Sequence, residues 1–149
     1  MIKPLYIVLC LLAFSTVSCQ GIDAKQKKDG IVVPRVVQKS FEKKYPYEKS
    51  PKWEIDDHGY YEAGFKDNGI KYRADFMPNG AWIETENSIK KKDLPKVIQD
   101  IIKVAYRHYE IAEIEHVSSA EKGIFYDVEF KQKGKNKDVE FDPSGRILN

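Results

Sequence analysis

Apolar residues recur at helical spacing in two stretches of the chain and alternate with polar ones in several others. Leu94, Val97, Ile98, Ile101, Ile102, Ala105 and Tyr109 fall on one stripe of a helix. Asp93 stands where a cap is needed, and Pro95 is tolerated in a first turn. A fainter stripe of the same kind, Val33, Val36, Val37, Phe41 and Tyr45, runs up to Pro46, which ends it. From Gly59 to Phe65, Tyr61, Ala63 and Phe65 alternate with Tyr60, Glu62 and Gly64; from Ile70 to Phe76, Ile70, Tyr72, Ala74 and Phe76 alternate with Lys71, Arg73 and Asp75. A period of two describes strands with one buried face. Asp67-Asn68-Gly69 between them is a hairpin signal. Pro78-Asn79-Gly80 and Pro143-Ser144-Gly145 mark further turns, with proline presetting a corner and glycine accepting positive φ.

These elements come twice. Val33-Pro34-Arg35-Val36-Val37-Gln38 lies over Leu94-Pro95-Lys96-Val97-Ile98-Gln99 at an offset of 61, Tyr45 falls on Tyr106, and Trp53-Glu54 on Ile114-Glu115. After four extra residues the offset becomes 65: Tyr61 to Phe65 matches Tyr126 to Phe130, Phe76 matches Phe141, Gly80 matches Gly145, and Trp82 matches Ile147. Each copy reads as one helix and about four short antiparallel strands. One such unit buries too little surface alone, so the expected fold is α+β, with both copies in one sheet and both helices on one face. Repeat one spans 31–87 and repeat two 93–149, within a domain of 31–149; Glu86 to Asp93 reads as the solvated connector between them.

The first 18 residues have a different character. Lys3 precedes an apolar run, Leu5 to Phe14, and small residues follow up to Cys19, the order of a secretory signal peptide too short to span a bilayer stably. Val17-Ser18-Cys19 resembles the end of a bacterial lipobox, with Thr16 where leucine is commonest. Cys19 is thus the candidate lipidation site and membrane anchor; ordinary cleavage nearby is the alternative. Cys10 leaves with the leader, so no intramolecular disulfide is expected. Residues 20–30 are polar and aperiodic, a tether between anchor and domain. The expected location is the periplasm or a lipoprotein anchored at the outer membrane.

Composition changes this picture little. Twenty-five basic residues against 23 acidic ones leave no field that favours nucleic acid. His58, His108 and His116 are the only histidines, and none lies in a zinc-binding arrangement. Asp56-Asp57-His58 reads as a solvated turn before Gly59. Phosphate loops, nucleophile elbows and complete calcium loops are missing, so the reading assigns no catalytic residue, metal or cofactor.

A helix with V/L-P-x-V, then Trp53 and Tyr60-Tyr61, then Phe76, Pro78, Gly80 and Trp82, duplicated behind a lipoprotein-like leader, resembles the PepSY-like family, related in fold to β-lactamase-inhibitor proteins. The resemblance covers roughly residues 31–149. It implies a non-enzymatic envelope protein of Gram-negative bacteria, with helices on one face of a curved sheet and the opposite face used for gripping a partner. Ile114 and Ile147 replace both tryptophans in the second copy, a departure from the pattern.

With Tyr61 and Tyr126 facing the helices, the open face carries Tyr60, Glu62, Lys71, Arg73 and Asp75, and in the second copy Phe125, Asp127, Glu129 and Glu140. Tyr60 and Phe125 hold equivalent positions, so two exposed aromatics ringed by charge are expected, the make-up of an interaction patch. A protein-binding module, possible enzyme inhibition included, is the first functional expectation, its partner an unidentified envelope protein. A small-ligand carrier, with a pocket lined by Trp53, Tyr72 and Trp82, is the second. A structural lipoprotein with no specific partner is the third.

Overall fold

The computed structural model describes residues 30–149. The leader, Cys19 and nearly all of the tether lie outside the described residues.

Helix α1 (Arg35–Lys44) leads into strands β1 (Lys52–Ile55), β2 (Tyr61–Asp67), β3 (Ile70–Phe76) and β4 (Trp82–Ser88). A short 3-10 turn, Lys91–Asp93, precedes helix α2 (Lys96–Ala105), followed by β5 (Ile111–Ser119), β6 (Gly123–Phe130) and β7 (Lys137–Phe141). All seven strands form one antiparallel sheet in chain order. The α+β architecture with its duplicated unit is the one read from the sequence.

The helices begin alike. Pro34 and Pro95 occupy the N-cap positions, and neither cap residue bonds through its side chain. Gln38 Nε2 reaches back to Val33 O at 2.9 Å, and Gln99 Nε2 to Leu94 O at 2.8 Å, fixing the approach of the chain to each first turn. Asp93 does not cap α2: it closes the 3-10 turn, accepting from Lys90 N at 3.3 Å. With proline at the cap position, the helix starts two residues later than the aspartate suggests.

Equivalent contacts recur throughout. Tyr45 packs on Phe65 with ring centroids 4.6 Å apart, and Tyr106 on Phe130 at the same 4.6 Å. Phe76 pairs with Trp82, and Phe141 pairs with Ile147. That second pairing is an isolated bridge, so the fourth strand of repeat two is reduced to a single rung. The β3–β4 and β7 turns end on Gly80 and Gly145, at φ of 85° and 88°. Each presses on a helix: a Cβ on Gly80 would lie 2.9 Å from Val36 Cγ2, and one on Gly145 would lie 2.7 Å from Ile101 Cδ1. The turn docks on the helix only because glycine has no side chain there.

Two buried clusters result. Val33, Val37, Phe41, Trp53, Ala63, Ala74 and Phe76 fill the first copy; Leu94, Ile98, Ile102, Ile114, Val128, Phe130, Val139 and Phe141 fill the second. No buried residue belongs to both. Between them the sheet runs on through β4–β5, where Glu84 to Ser88 pair with Ser119 to Glu115. β4 continues through Ser88, so Glu86, Asn87 and Ser88 belong to the sheet rather than to the connector.

Candidate functional site

Strand alternation sends Tyr61 and Tyr126 against the buried clusters beneath the helices, as expected, and among the described residues no element covers the other sheet face. On that face the register aligns like charges. Glu54 stands opposite Glu62, Glu62 opposite Asp75, and Asp75 opposite Glu84, a row of four carboxylates across β1 to β4. The second copy repeats the row: Glu115 opposite Asp127, Asp127 opposite Glu140. Glu54, Glu62 and Asp75 map onto Glu115, Asp127 and Glu140 through the offsets of the repeat. Side chains directly opposite have Cβ atoms about 5 Å apart, where like charges destabilise a sheet. A fold does not need such rows; core and turns would be satisfied by neutral residues.

The electrostatics follow from this crowding. Burial, then Glu62, Glu86, Asp56 and Glu84, pushes the Asp75 carboxyl up to about 7. Burial, then Glu86, pushes Glu115 up to about 7 against the opposing pull of Arg73. Burial, then Asp138, Glu140 and Glu129, lifts Asp127 to about 6. Glu62 and Glu84 are raised as well, chiefly by burial. Asp75 Oδ1 and Asp127 Oδ1 are buried and accept no hydrogen bond from the described residues.

These shifts have one sign. Unfolded, the groups titrate near 4; folded, they hold protons up to about pH 6 to 7. The stabilisation is fully present below about pH 4 and is lost as the pH rises through 6 to 7. With about half of each group screened by solvent, Tm should fall by about 5–10 °C between pH 4 and pH 8. Differential scanning calorimetry across that range checks it, and a Tm that rises with pH contradicts the arrangement of carboxylates.

Arg73 crosses the boundary between the copies. Its Nε donates to Glu86 Oε1 at 2.6 Å, and its Nη2 to Glu115 Oε1 at 2.5 Å. Around it lies a groove of about 830 Å³ whose lining includes Glu54, Glu62, Lys71, Arg73, Glu86 and Glu115. Gly64, opposite Arg73 on the neighbouring strand, leaves the floor of this groove low.

Of the expected residues, Glu62, Lys71, Arg73, Asp127 and Glu129 lie on the open face, together with Asp75 and Glu140. Tyr60 and Phe125 depart from the expectation of two exposed, equivalent rings. Tyr60 is half-buried at the end of the β1–β2 turn, its ring stacked on His58 at 5.8 Å and its N–H donating to Asp56 Oδ1 at 2.8 Å. Phe125 is on the open face but only 4% exposed. It stands opposite Val117, and the Lys122 ammonium lies 5.2 Å from its ring centroid, held by both oxygens of Glu140. The four residues added to the second copy lengthen the hairpin that brings Lys122 there. Asp56 accepts from His58 N and Tyr60 N, the solvated turn expected at Asp56-Asp57-His58.

Glu54, Glu84, Glu86 and Glu115 were missing from the sequence-based face, although the offset that lays Glu54 on Glu115 was a usable signal. Of the residues expected to line a ligand pocket, Trp53 and Trp82 pack against other side chains, whereas Tyr72 borders the groove around Arg73. Trp53 meets Phe41 and Phe76 at 5.4 and 6.2 Å, Tyr72 stacks on Phe65 at 5.5 Å, and Trp82 carries the Lys44 ammonium 3.4 Å from its ring centroid. Among the described residues no group of three His, Cys, Asp or Glu side chains is placed to hold a metal ion, and no helix is long and apolar enough to cross a membrane.

Comparison with known proteins places this geometry. The fold recurs in a DUF2874 family protein from Bacteroides ovatus, with a TM-score of 0.70 at 23% identity, over 80% of this chain and 87% of that one. It recurs in a BLIP-like protein from Bacteroides fragilis, with a TM-score of 0.66 at 24% identity, over 78% of this chain and 83% of that one. A protein from Bacteroides eggerthii, described as putative periplasmic, shares it with a TM-score of 0.67 at 21% identity, over 78% and 86% of the two chains. No curated protein matches the chain in sequence. The pattern of the family described as "Putative beta-lactamase-inhibitor-like, PepSY-like" matches residues 20–61 and again 59–149. The duplicated helix-and-sheet unit, its open face and this match over nearly the whole chain lead to one assignment: the chain belongs to the PepSY-like family.

Proposed function

We propose that this is a non-enzymatic, exported envelope protein that binds a protein partner through its open sheet face. One observation carries the reading: a seven-stranded face, uncovered among the described residues, on which carboxylates stand in rows of like charge, in both copies, at a cost to stability. Charges that weaken a fold and recur at equivalent places are accounted for by something outside the fold. The groove around Arg73 supplies concave relief on an otherwise flat surface, and Trp53 and Trp82, expected to line a ligand pocket, pack against other side chains instead. The leader, the lipobox-like Val17-Ser18-Cys19 and the periplasmic description of one structural neighbour support export and anchoring through Cys19. Likeness in fold to a BLIP-like protein makes an enzyme a natural class of partner to try.

Affinity capture from native envelope extract tests the reading. The whole chain is compared with a face variant, Lys71→Glu plus Glu129→Lys, and with a helix-side variant, Lys103→Glu plus Glu110→Lys. Circular dichroism verifies that all three are folded. The expected result is a partner retained by the parent and by the helix-side variant but lost by the face variant. Equal retention by all three, or equal loss from both variants, removes the open face from the account.

A further inference from the structure

Gly64 stands in the middle of β2, where glycine weakens a strand. Seven other glycines take positive φ, the conformation that favours them; Gly64 does not. No bulge marks it, since Lys52 on one side and Arg73 on the other pair with it in unbroken register. Crowding does not demand it either. Among the described residues a Cβ built there would meet only Lys52 O, at 3.7 Å, an ordinary contact. Arg73 leaves the space open, because its side chain runs away from β2 to Glu86 on β4 and Glu115 on β5. The offset of the repeat carries Gly64 onto Glu129, so the second copy holds a long side chain at the same place. The remaining reason for glycine inside a regular strand is close approach by another molecule.

A second observation lies two residues along the same groove. Lys66 stands directly opposite Lys71, a pairing of like charges that weakens a sheet. Among the described residues neither lysine forms an ion pair. The second copy avoids this arrangement. Lys131, the counterpart of Lys66, binds Glu110 at 2.5 Å, and Asn136 takes the place of Lys71. In the first copy Lys49 stands where Glu110 would be. The clearance and the opposed lysines thus belong to the first copy alone, side by side on one strand.

We infer that the groove over Gly64 seats an extended segment of the protein partner, with one large side chain in the clearance and a carboxylate two residues along between Lys66 and Lys71. The inference rests on the reading of the open face as a protein-binding surface and names the segment it grips. The spacing agrees when the segment runs along β2. Alternate residues of any strand point to one side about 6.7 Å apart, so side chains i and i+2 of the segment meet Gly64 and Lys66 in turn. Two residues the other way lie Glu62 and Asp75, which repel a second acid there and so fix the register. An aromatic ring suits the clearance, which lies between the cationic side chains of Lys52 and Arg73. The paired ammonium groups suit a carboxylate through charge-assisted hydrogen bonds.

The test uses the whole chain and an eight-residue glycine peptide carrying tyrosine and glutamate two positions apart, in about 0.1 M salt so that distant charges are screened. Peptides with glutamine or lysine for the glutamate, or glycine for the tyrosine, serve as controls. Backbone amide shifts should concentrate in β1 to β3, and the tyrosine–glutamate peptide should bind more tightly than every control. Gly64→Val should weaken binding tenfold or more, because it fills the clearance with a residue that suits a strand. Gly64→Ala, which adds one methyl in ordinary contact, should leave Tm equal or higher. Lys66→Gln with Lys71→Gln should abolish the preference for glutamate over glutamine, whereas Glu129→Val, at the equivalent place in the second copy, should change binding less than twofold. Unchanged binding by Gly64→Val, a lower Tm for Gly64→Ala, shifts centred elsewhere, or no binding each overturns the proposal. The captured envelope partner separates the two readings. If it is lost with Lys71→Glu plus Glu129→Lys but kept with Gly64→Val, the face binds a protein and the groove proposal falls.

Discussion

Phe41→Ala should lower the unfolding free energy by about 3–5 kcal/mol, the largest effect expected from a single substitution in the described domain. Phe41 is 2% exposed, on the inner side of α1. Its ring meets four others, Tyr45 at 5.1 Å, Trp53 and Phe65 at 5.4 Å, and Phe76 at 6.2 Å, three of them at edge-to-face angles. Removing it deletes the transfer energy of one phenyl group and leaves a void that rigid neighbouring rings fill poorly. Both tryptophans belong to the first copy, so their fluorescence follows this core, while far-ultraviolet circular dichroism follows both copies. Urea denaturation read by the two signals checks the prediction. The fluorescence midpoint should drop steeply, and a change below about 1 kcal/mol would mean that the first core relaxes around the loss. Ile102, the counterpart of Phe41 in the second copy, is an aliphatic side chain in the cluster that holds Phe130 and Phe141.

Gly80→Ala should cost about 2–4 kcal/mol, from two sources that can be separated. Its φ of 85° is strained for any residue with a Cβ, and that alone is worth about 1–2 kcal/mol. In addition the new methyl would sit 2.9 Å from Val36 Cγ2 and 3.0 Å from Val36 O, one of them a backbone atom that cannot swing away. Gly69→Ala supplies the comparison: φ is 83°, yet nothing lies within 4 Å of the added methyl. The difference between the two variants in chemical denaturation measures the close approach of the turn to α1. If both lose the same stability, the docking of that turn contributes nothing.

How far these features could be read from residues alone depended on what each one rests on. The repeat was visible because prolines, glycines and core aromatics hold their spacing, and each of these has a backbone or packing reason to stay. The inward direction of Tyr61, Ala63 and Phe76 followed from alternation, and Asp67-Asn68-Gly69 from turn chemistry. β4 was harder. Its residues Glu84-Thr85-Glu86-Asn87-Ser88 are polar on both sides, because one side belongs to the acidic face and the other lies near Tyr45, whose hydroxyl meets Thr85 Oγ1. Its second half is a strand by pairing with β3 and β5, which local pattern does not register. Phe125 was placed on the correct face, but alternation says nothing of depth, and only the longer hairpin with Lys122 explains its burial. The acidic rows were hidden for a similar reason: a row needs the register of several strands at once, and each strand alone shows only an ordinary charge facing water.

The separation of the two buried clusters has a mechanical meaning. Each half is a plate stiffened by its own helix and its own packed rings, and the plates meet along β4–β5, where backbone pairing and the Arg73 bridge do the joining. Backbone ladders tolerate changes in twist that close-packed interiors do not. A torque across this joint would rotate one acidic row relative to the other while leaving every buried ring in place. The separation therefore confines each packed interior to its own half, so that a change of twist in the shared ladder need not disturb either.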